Sequence, residues 1–364
     1  MNKVWVILIT ALVFLGSCSK DNKDDFTIKG SLSNLDAPYF FIAMESFDSV
    51  FVDTVWVDRQ GTFSYKGMVD TLTMTSLYFD KKLWSTSVFL NKGWNVDVKG
   101  DINYPDLIKV DGGDVNDDLT TFKKANSELF KNRTDVLRKI EEAGNPEIKL
   151  NYSNELKNIN FDLTNAAKDY IEKNPEKIAS VVLIQDFYRN NTSIEQLQQS
   201  LSLLKGKAQS FYLADDLRDY SAKVKLSQVG SLAPDFEMKN GDKESNLNVY
   251  RGKYLYLTFA TQNGGVYQNG LPAMMEVYKK LKNKDVEFVS VIVDSIIEEV
   301  PDSIKWPVFF DRKGWASKPI DLYNITELPF SVLISPEGRI IERGISAAIL
   351  PEKIDELQKA KVKK

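Results

Sequence analysis

The period of the hydrophobic pattern changes twice along this chain, which calls for more than one kind of core. From Phe26 to about Val110, short runs alternate apolar and polar residues: Phe26 to Gly30, Tyr39 to Met44, Phe51 to Val57, Thr62 to Tyr65, Leu77 to Phe79 and Asn95 to Val98. A period of two in β-branched and aromatic residues predicts strands buried on one face. Asp58-Arg59-Gln60-Gly61 reads as a hairpin-like turn between two of these runs, because Gly allows a positive φ. The stretch is expected to form a small antiparallel β-sandwich.

Between about 111 and 228 the period becomes helical. Leu163, Ala167, Tyr170 and Ile171 make one stripe and Leu197, Leu201 and Leu204 another, each an apolar face for a core. Asn174-Pro175 separates two helices, Pro being tolerated in a new first turn. From Val229 the two periods alternate. Tyr254 to Phe259 and Val286 to Asp294 read as strands, and Leu271 to Lys284 and Leu350 to Lys361 as helices. Ser331 to Ile334 is expected to pair with Arg339 to Glu342 across Ser335-Pro336-Glu337-Gly338. That order predicts an α/β domain with a mixed sheet. The chain is thus α+β and multidomain: a sandwich over 26–110, a helical connector over 111–228 and an α/β domain over 229–364.

With 364 residues, 43% hydrophobic and 27% charged, there is material for two or three domains. A net charge of −4 argues against nucleic acid as a partner. The sequence holds no His and one Cys. It therefore has no Ser-His triad, Cys-His dyad, His metal ligand, internal disulfide or dithiol pair. No phosphate loop, dinucleotide fingerprint or nucleophile elbow appears, so no cofactor is called for. A calcium loop starting at Asp114 fails, because Leu119 stands where Gly is wanted and Ala125 where Glu is wanted. Asp111 to Asp118 reads instead as an acidic linker capping a helix that begins near Leu119, and no metal is expected.

Residues 1–17 have the form of a secretory signal, with Lys3 ahead of the apolar run Val4 to Leu15. Leu15-Gly16-Ser17-Cys18 resembles a bacterial lipobox, which implies lipidation of Cys18 as a thioether. Each buried methylene of such a lipid contributes about 0.8 kcal/mol, so several chains anchor a protein stably to a membrane. Residues 18–25 are polar and suit a tether. The expected location is a Gram-negative envelope, on the outer membrane at its periplasmic or surface face.

The C-terminal part resembles the thioredoxin-like domain of TlpA-type envelope thiol-disulfide oxidoreductases, which are related to the AhpC/TSA peroxiredoxins. The resemblance rests on Gly230 to Phe236, Leu247 to Lys253, Tyr254 to Phe259, the Leu271-Pro272 helix start and Leu322 to Gly338. It implies a thioredoxin-like fold for 229–364. The first two-thirds resembles the β-rich module of unknown function found ahead of such domains in Gram-negative lipoproteins. In this family a strand ending in Phe leads to Trp-Cys-x-x-Cys, with a Pro five residues after the second Cys. Counting back from Pro272 and forward from Phe259 gives one register: Asn263 stands in place of the Trp, and Gly264, Gly265, Val266 and Tyr267 in place of Cys-x-x-Cys. Thiol exchange needs a thiolate that attacks and a second Cys that resolves. Both are absent here. Gly264, Gly265 and Gly270 each weaken a helix by about 1 kcal/mol relative to Ala, so a loop looser than in active relatives is expected.

Leu328-Pro329 matches the family's cis-Pro, beside which an extended peptide is held; with Asn263 and Tyr267 these are the candidate binding residues. The function expected is a lipid-anchored, redox-inactive scaffold holding a peptide or protein partner. Two alternatives stand beside it. One is a part in envelope thiol-disulfide exchange with a partner supplying both sulfurs. The other is a surface glycan-binding lipoprotein, using Trp84, Trp94 or Trp315 if they are exposed.

Overall fold

In the computed structural model, residues 24–46, 49–79, 84–240, 243–262, 265–296 and 302–362 are described. The expectations for the signal segment and Cys18 fall outside them, as do Asn263 and Gly264. Two compact units divide the chain, Met1–Ala179 and Ser180–Lys364.

The first unit opens with strands β1 (Phe26–Ser33), β2 (Tyr39–Ser46), β3 (Ser49–Trp56), β4 (Thr62–Gly67), β5 (Thr73–Phe79), β6 (Trp84–Leu90), β7 (Asn95–Asp101) and β8 (Lys109–Asp111). They form two four-stranded sheets, ordered β4-β1-β7-β8 and β3-β2-β5-β6. Alternate residues, among them Ile28, Ile42, Leu77, Val88, Val96 and Val98, are fully buried in one core. Two expectations need correction. The sandwich is not wholly antiparallel, for β1 and β7 run parallel, with Ile28 opposite Val96 and Gly30 opposite Val98. Parallel neighbours need a long crossover, and the whole of the second sheet lies between these two strands in sequence. A Cβ on Gly30 would lie 1.7 Å from the Val98 carbonyl oxygen, so glycine is what lets them meet. Nor is Asp58 to Gly61 a hairpin turn. Its backbone closes locally, with the Gly61 N–H donating to the Asp58 carbonyl at 2.9 Å, but β3 pairs with β2 and β4 with β1. The turn carries the chain from one sheet to the other.

Helices α1 (Asp114–Ala125), α2 (Ser127–Glu142) and α3 (Pro146–Lys173) follow, and α4 (Ile178–Phe187) begins at the unit boundary. The acidic stretch belongs to α1 itself, which starts five residues before Leu119. Asp114 and Asp117 occupy its first turn, where the helix dipole favours them, and Asp117 Oδ1 accepts from the Gly112 N–H at 2.8 Å.

In the second unit, α5 (Ile194–Leu203), α6 (Gly206–Gln209) and α7 (Tyr212–Ser227) precede a two-stranded ribbon, β9 (Glu237–Asn240) with β10 (Lys243–Asn246). The main sheet takes β11 (Tyr254–Ala260), β12 (Val286–Ile292), β13 (Val308–Phe309), β14 (Phe330–Ile334) and β15 (Ile340–Arg343), in the order β13-β12-β11-β14-β15. Helices α8 (Gly265–Leu281), α9 (Lys318–Leu322) and α10 (Leu350–Val362) complete the unit. All seven residues of β11 are buried. Leu255, Leu257 and Phe259 enter a core with Phe236, Ile320 and Tyr323, whereas Tyr254 and Tyr256 join Met274, Leu281 and Ile354 on the opposite face. β11 and β12 are parallel around α8, and β14 and β15 are antiparallel, which gives the expected mixed sheet. The expected loose loop is absent from 265 onward. α8 starts at Gly265, six residues before Leu271, because its apolar stripe from Met274 to Leu281 anchors the helix against the sheet and outweighs the weak propensity of its first turns. Among the described residues no helix is long and apolar enough to cross a membrane.

Candidate ligand cleft

β11 ends at Ala260 and α8 begins at Gly265, so the four positions from Gly264 to Tyr267 fall on the strand-to-helix junction. Gly265, Val266 and Tyr267 lie in the first turn of α8. β14 pairs antiparallel with β11, and Phe330 opposite Phe259 brings Pro329 level with the end of β11. The Leu328–Pro329 peptide bond is cis. A cleft of about 310 Å³ opens at this place, between the N-terminal half of α8, the end of β11 and the loop after β15. Pro329, Phe330, Gly270, Met274, Tyr256 and Ile345 are among the residues lining it. Leu328, by contrast, packs half-buried on the Phe236–Tyr323 core and does not line the cleft.

No lining residue carries a charge. The hydroxyls that line it are mostly engaged within the protein. Thr258 Oγ1 and Ser290 Oγ lie 2.8 Å apart, and Trp306 Nε1–H donates to Ser290 Oγ at 2.9 Å. Ser331 Oγ and the Tyr256 hydroxyl both donate to the Ile345 carbonyl, at 2.5 and 3.0 Å, and burial pushes the Tyr256 phenol above its ordinary pKa. Among the described lining residues there is no thiol, carboxylate or amine. Among the described residues no three acidic side chains converge to hold a metal ion. The single Cys of the sequence stands at 18, nearly 250 positions before the junction.

Sequence reasoning missed Tyr256, Gly270, Phe330 and Ile345. The period-two pattern puts Tyr256 and Thr258 on one face of β11, but such a face reads as core, and Gly270, with open space where a Cβ would stand, is read from sequence as a helix weakener and not as a gap. Of the tryptophans, Trp94 is half-buried against the sandwich core and the Trp84 ring lies 5.4 Å from the Arg138 guanidinium, while Trp315 is 56% exposed. Trp56, not singled out before, is 67% exposed.

Residues 229–343 match the AhpC/TSA family and residues 26–119 a domain of unknown function, DUF4369. The chain is 29% identical over 157 residues to the thiol-disulfide oxidoreductase ResA of Oceanobacillus iheyensis, covering 40% of this chain and 78% of that one. It is 30% identical over 132 residues to ResA of Bacillus thuringiensis, covering 35% and 74%. Similar solved structures include the thioredoxin domain of a Bacteroides vulgatus thiol-disulfide oxidoreductase (21% identity, TM-score 0.33, 36% of this chain and 97% of that one). Another is a thioredoxin-like protein from Bacteroides caccae (15% identity, TM-score 0.39, 58% and 85%). By the AhpC/TSA match and the identity to the ResA proteins, the chain belongs to the thioredoxin-like thiol-disulfide oxidoreductase family, carried behind an N-terminal DUF4369 β-rich domain.

Proposed function

We propose that this protein is a lipid-anchored envelope scaffold whose thioredoxin-like domain holds a peptide or protein segment without exchanging disulfides. One observation carries the reading: the register that the family fills with Cys-x-x-Cys reads Gly264-Gly265-Val266-Tyr267 in a sequence with one Cys, while a cleft opens beside it. Thiolate attack and resolution both need sulfur at that junction. What remains is concave, apolar and bounded by a family-typical proline, the features of a binding surface. The Leu15 to Cys18 lipobox supports the anchor, and a Cys18 lipidated as a thioether leaves the processed chain without a free thiol.

The test is reduction of insulin or a model disulfide by the processed protein. No turnover above a protein-free control is expected, and any catalytic turnover overturns the reading. Cys18→Ala is expected to move the protein from the membrane to the soluble fraction and to block metabolic labelling with palmitate. Glycan binding is the second reading, favoured by the exposure of Trp315; quenching of Trp fluorescence by oligosaccharides would support it and a flat titration would remove it.

A further inference from the structure

We propose, resting on the reading that the cleft holds a protein segment, that it is anchored there by an uncharged apolar side chain, and that Gly270 is the residue that admits it. A Cβ built on Gly270 meets no heavy atom within 4 Å, although the residue sits inside α8 where the helix faces the cleft. Ligand pockets span about 300–1,000 Å³, so a cleft of about 310 Å³ has room for a large side chain.

Its walls decide which side chain. Met274 and Phe330 offer apolar surface, and Met adapts to the shape of what it contacts. Tyr256 and Ser331 spend their hydroxyls on the Ile345 carbonyl, and Thr258 shares its own with Ser290. A carboxylate or ammonium entering here would leave water without an opposite charge to meet, and burial of an unpaired charge is strongly unfavourable. A leucine or phenylalanine side chain loses nothing and gains burial. On the wall opposite α8, Gly344 holds a φ of +70° with its added Cβ position 3.9 Å from the Phe330 ring, so the backbone itself forms that wall and a side chain there would be strained.

The experiment uses the full processed chain and labelled twelve-residue peptides in one Ser/Thr/Asn background, with a single central Leu, Phe, Asp or Lys, read by fluorescence anisotropy. The Leu and Phe peptides are expected to bind at least about tenfold more tightly than the Asp and Lys peptides. Gly270→Leu is expected to weaken the Leu peptide by about tenfold or more while raising the thermal midpoint, since Leu is the better helix former. Gly270→Ala should keep most of the affinity. Equal binding of charged and apolar peptides, or unchanged affinity in a folded Gly270→Leu protein, overturns the anchor and leaves the holding function standing. Failure of every peptide to bind the folded wild-type chain overturns both.

Discussion

Buried polar residues of the sandwich unit act on its stability in opposite directions. Asn116, 1% exposed, pairs with the backbone of Phe89 as a neighbouring strand would: its Oδ1 accepts from the Phe89 N–H at 2.8 Å and its Nδ2–H donates to the Phe89 carbonyl at 2.8 Å. Asn116→Ala removes both of these buried bonds and is expected to cost about 2–4 kcal/mol in urea unfolding. Thr75 and Thr86 bury hydroxyls that have no hydrogen-bond partner. Thr75→Val keeps the shape and removes the unsatisfied group, so it is expected to stabilise by about 1 kcal/mol. Tyr65 gives a pH test. Burial first, and then its hydrogen bond to Asp53, push its phenol up to about 12. In the unfolded chain the phenol ionises near the ordinary value of about 10. The stabilisation is therefore fully present below pH 10 and is lost as pH rises from 10 towards 12. Tyr65→Phe should flatten that part of the stability profile, and an unchanged slope in the variant would refute the assignment.

At the scale of elements, α1 closes one side of the sandwich. Asn116 and Thr120 stand four residues apart on one helix face, and each engages the edge strand of a different sheet. Asn116 takes Phe89 of β6, and Thr120 Oγ1 accepts from the Val110 N–H at 3.1 Å and donates to the Val110 carbonyl at 2.7 Å in β8. The edge strand β3 is protected differently. Asp53 Oδ1 accepts from the Thr54 N–H at 2.7 Å beside exposed Val50, Val52 and Trp56, so a carboxylate occupies one rung of an otherwise sticky edge. Asp53→Val is expected to bring on concentration-dependent self-association in sedimentation velocity, whereas a monomer at all concentrations would show that the carboxylate is no guard. Neither device was legible in the sequence. Asn116 lies in the stretch that reads as acidic linker and Thr120 at the very start of the helix expected near Leu119, and the alternation of β3 says where a strand is but not which strands flank it. The turn at Asp58 to Gly61 looked like a hairpin for the same reason: a tight turn has the same local chemistry whether the chain stays in its sheet or leaves it.

At the scale of the whole molecule, what the sequence carried well was the run of buried strand residues in β11 and β12 and the β14–β15 turn, since each depends on neighbours in sequence. The cleft did not show, because its openness comes from Gly270 facing residues from β11, β14 and the segment after β15. The limit of the C-terminal domain also depends on distant contacts. The family match begins at 229, yet α7 is tied to the sheet just before that point. Arg343 at the end of β15 donates to the Ser227 carbonyl at 2.7 Å and to the Tyr323 carbonyl at 2.7 Å, with its guanidinium 5.1 Å from the Phe330 ring. Ser231 Oγ donates to the Lys225 carbonyl, and Lys223 meets Asp321 at 2.6 Å. The exposed ion pair adds little. The charged hydrogen bonds of the half-buried arginine are each worth about 1.5–3 kcal/mol, and burial already lowers its pKa, so removing an acceptor strands a desolvated cation. A fragment starting at Val229 is therefore expected to unfold at a lower urea midpoint than one starting at Lys205, which keeps α7. Arg343→Met should erase most of that difference, because both fragments then lack the tie. Equal midpoints for the two wild-type fragments would place the domain boundary at 229 and make α7 a spacer.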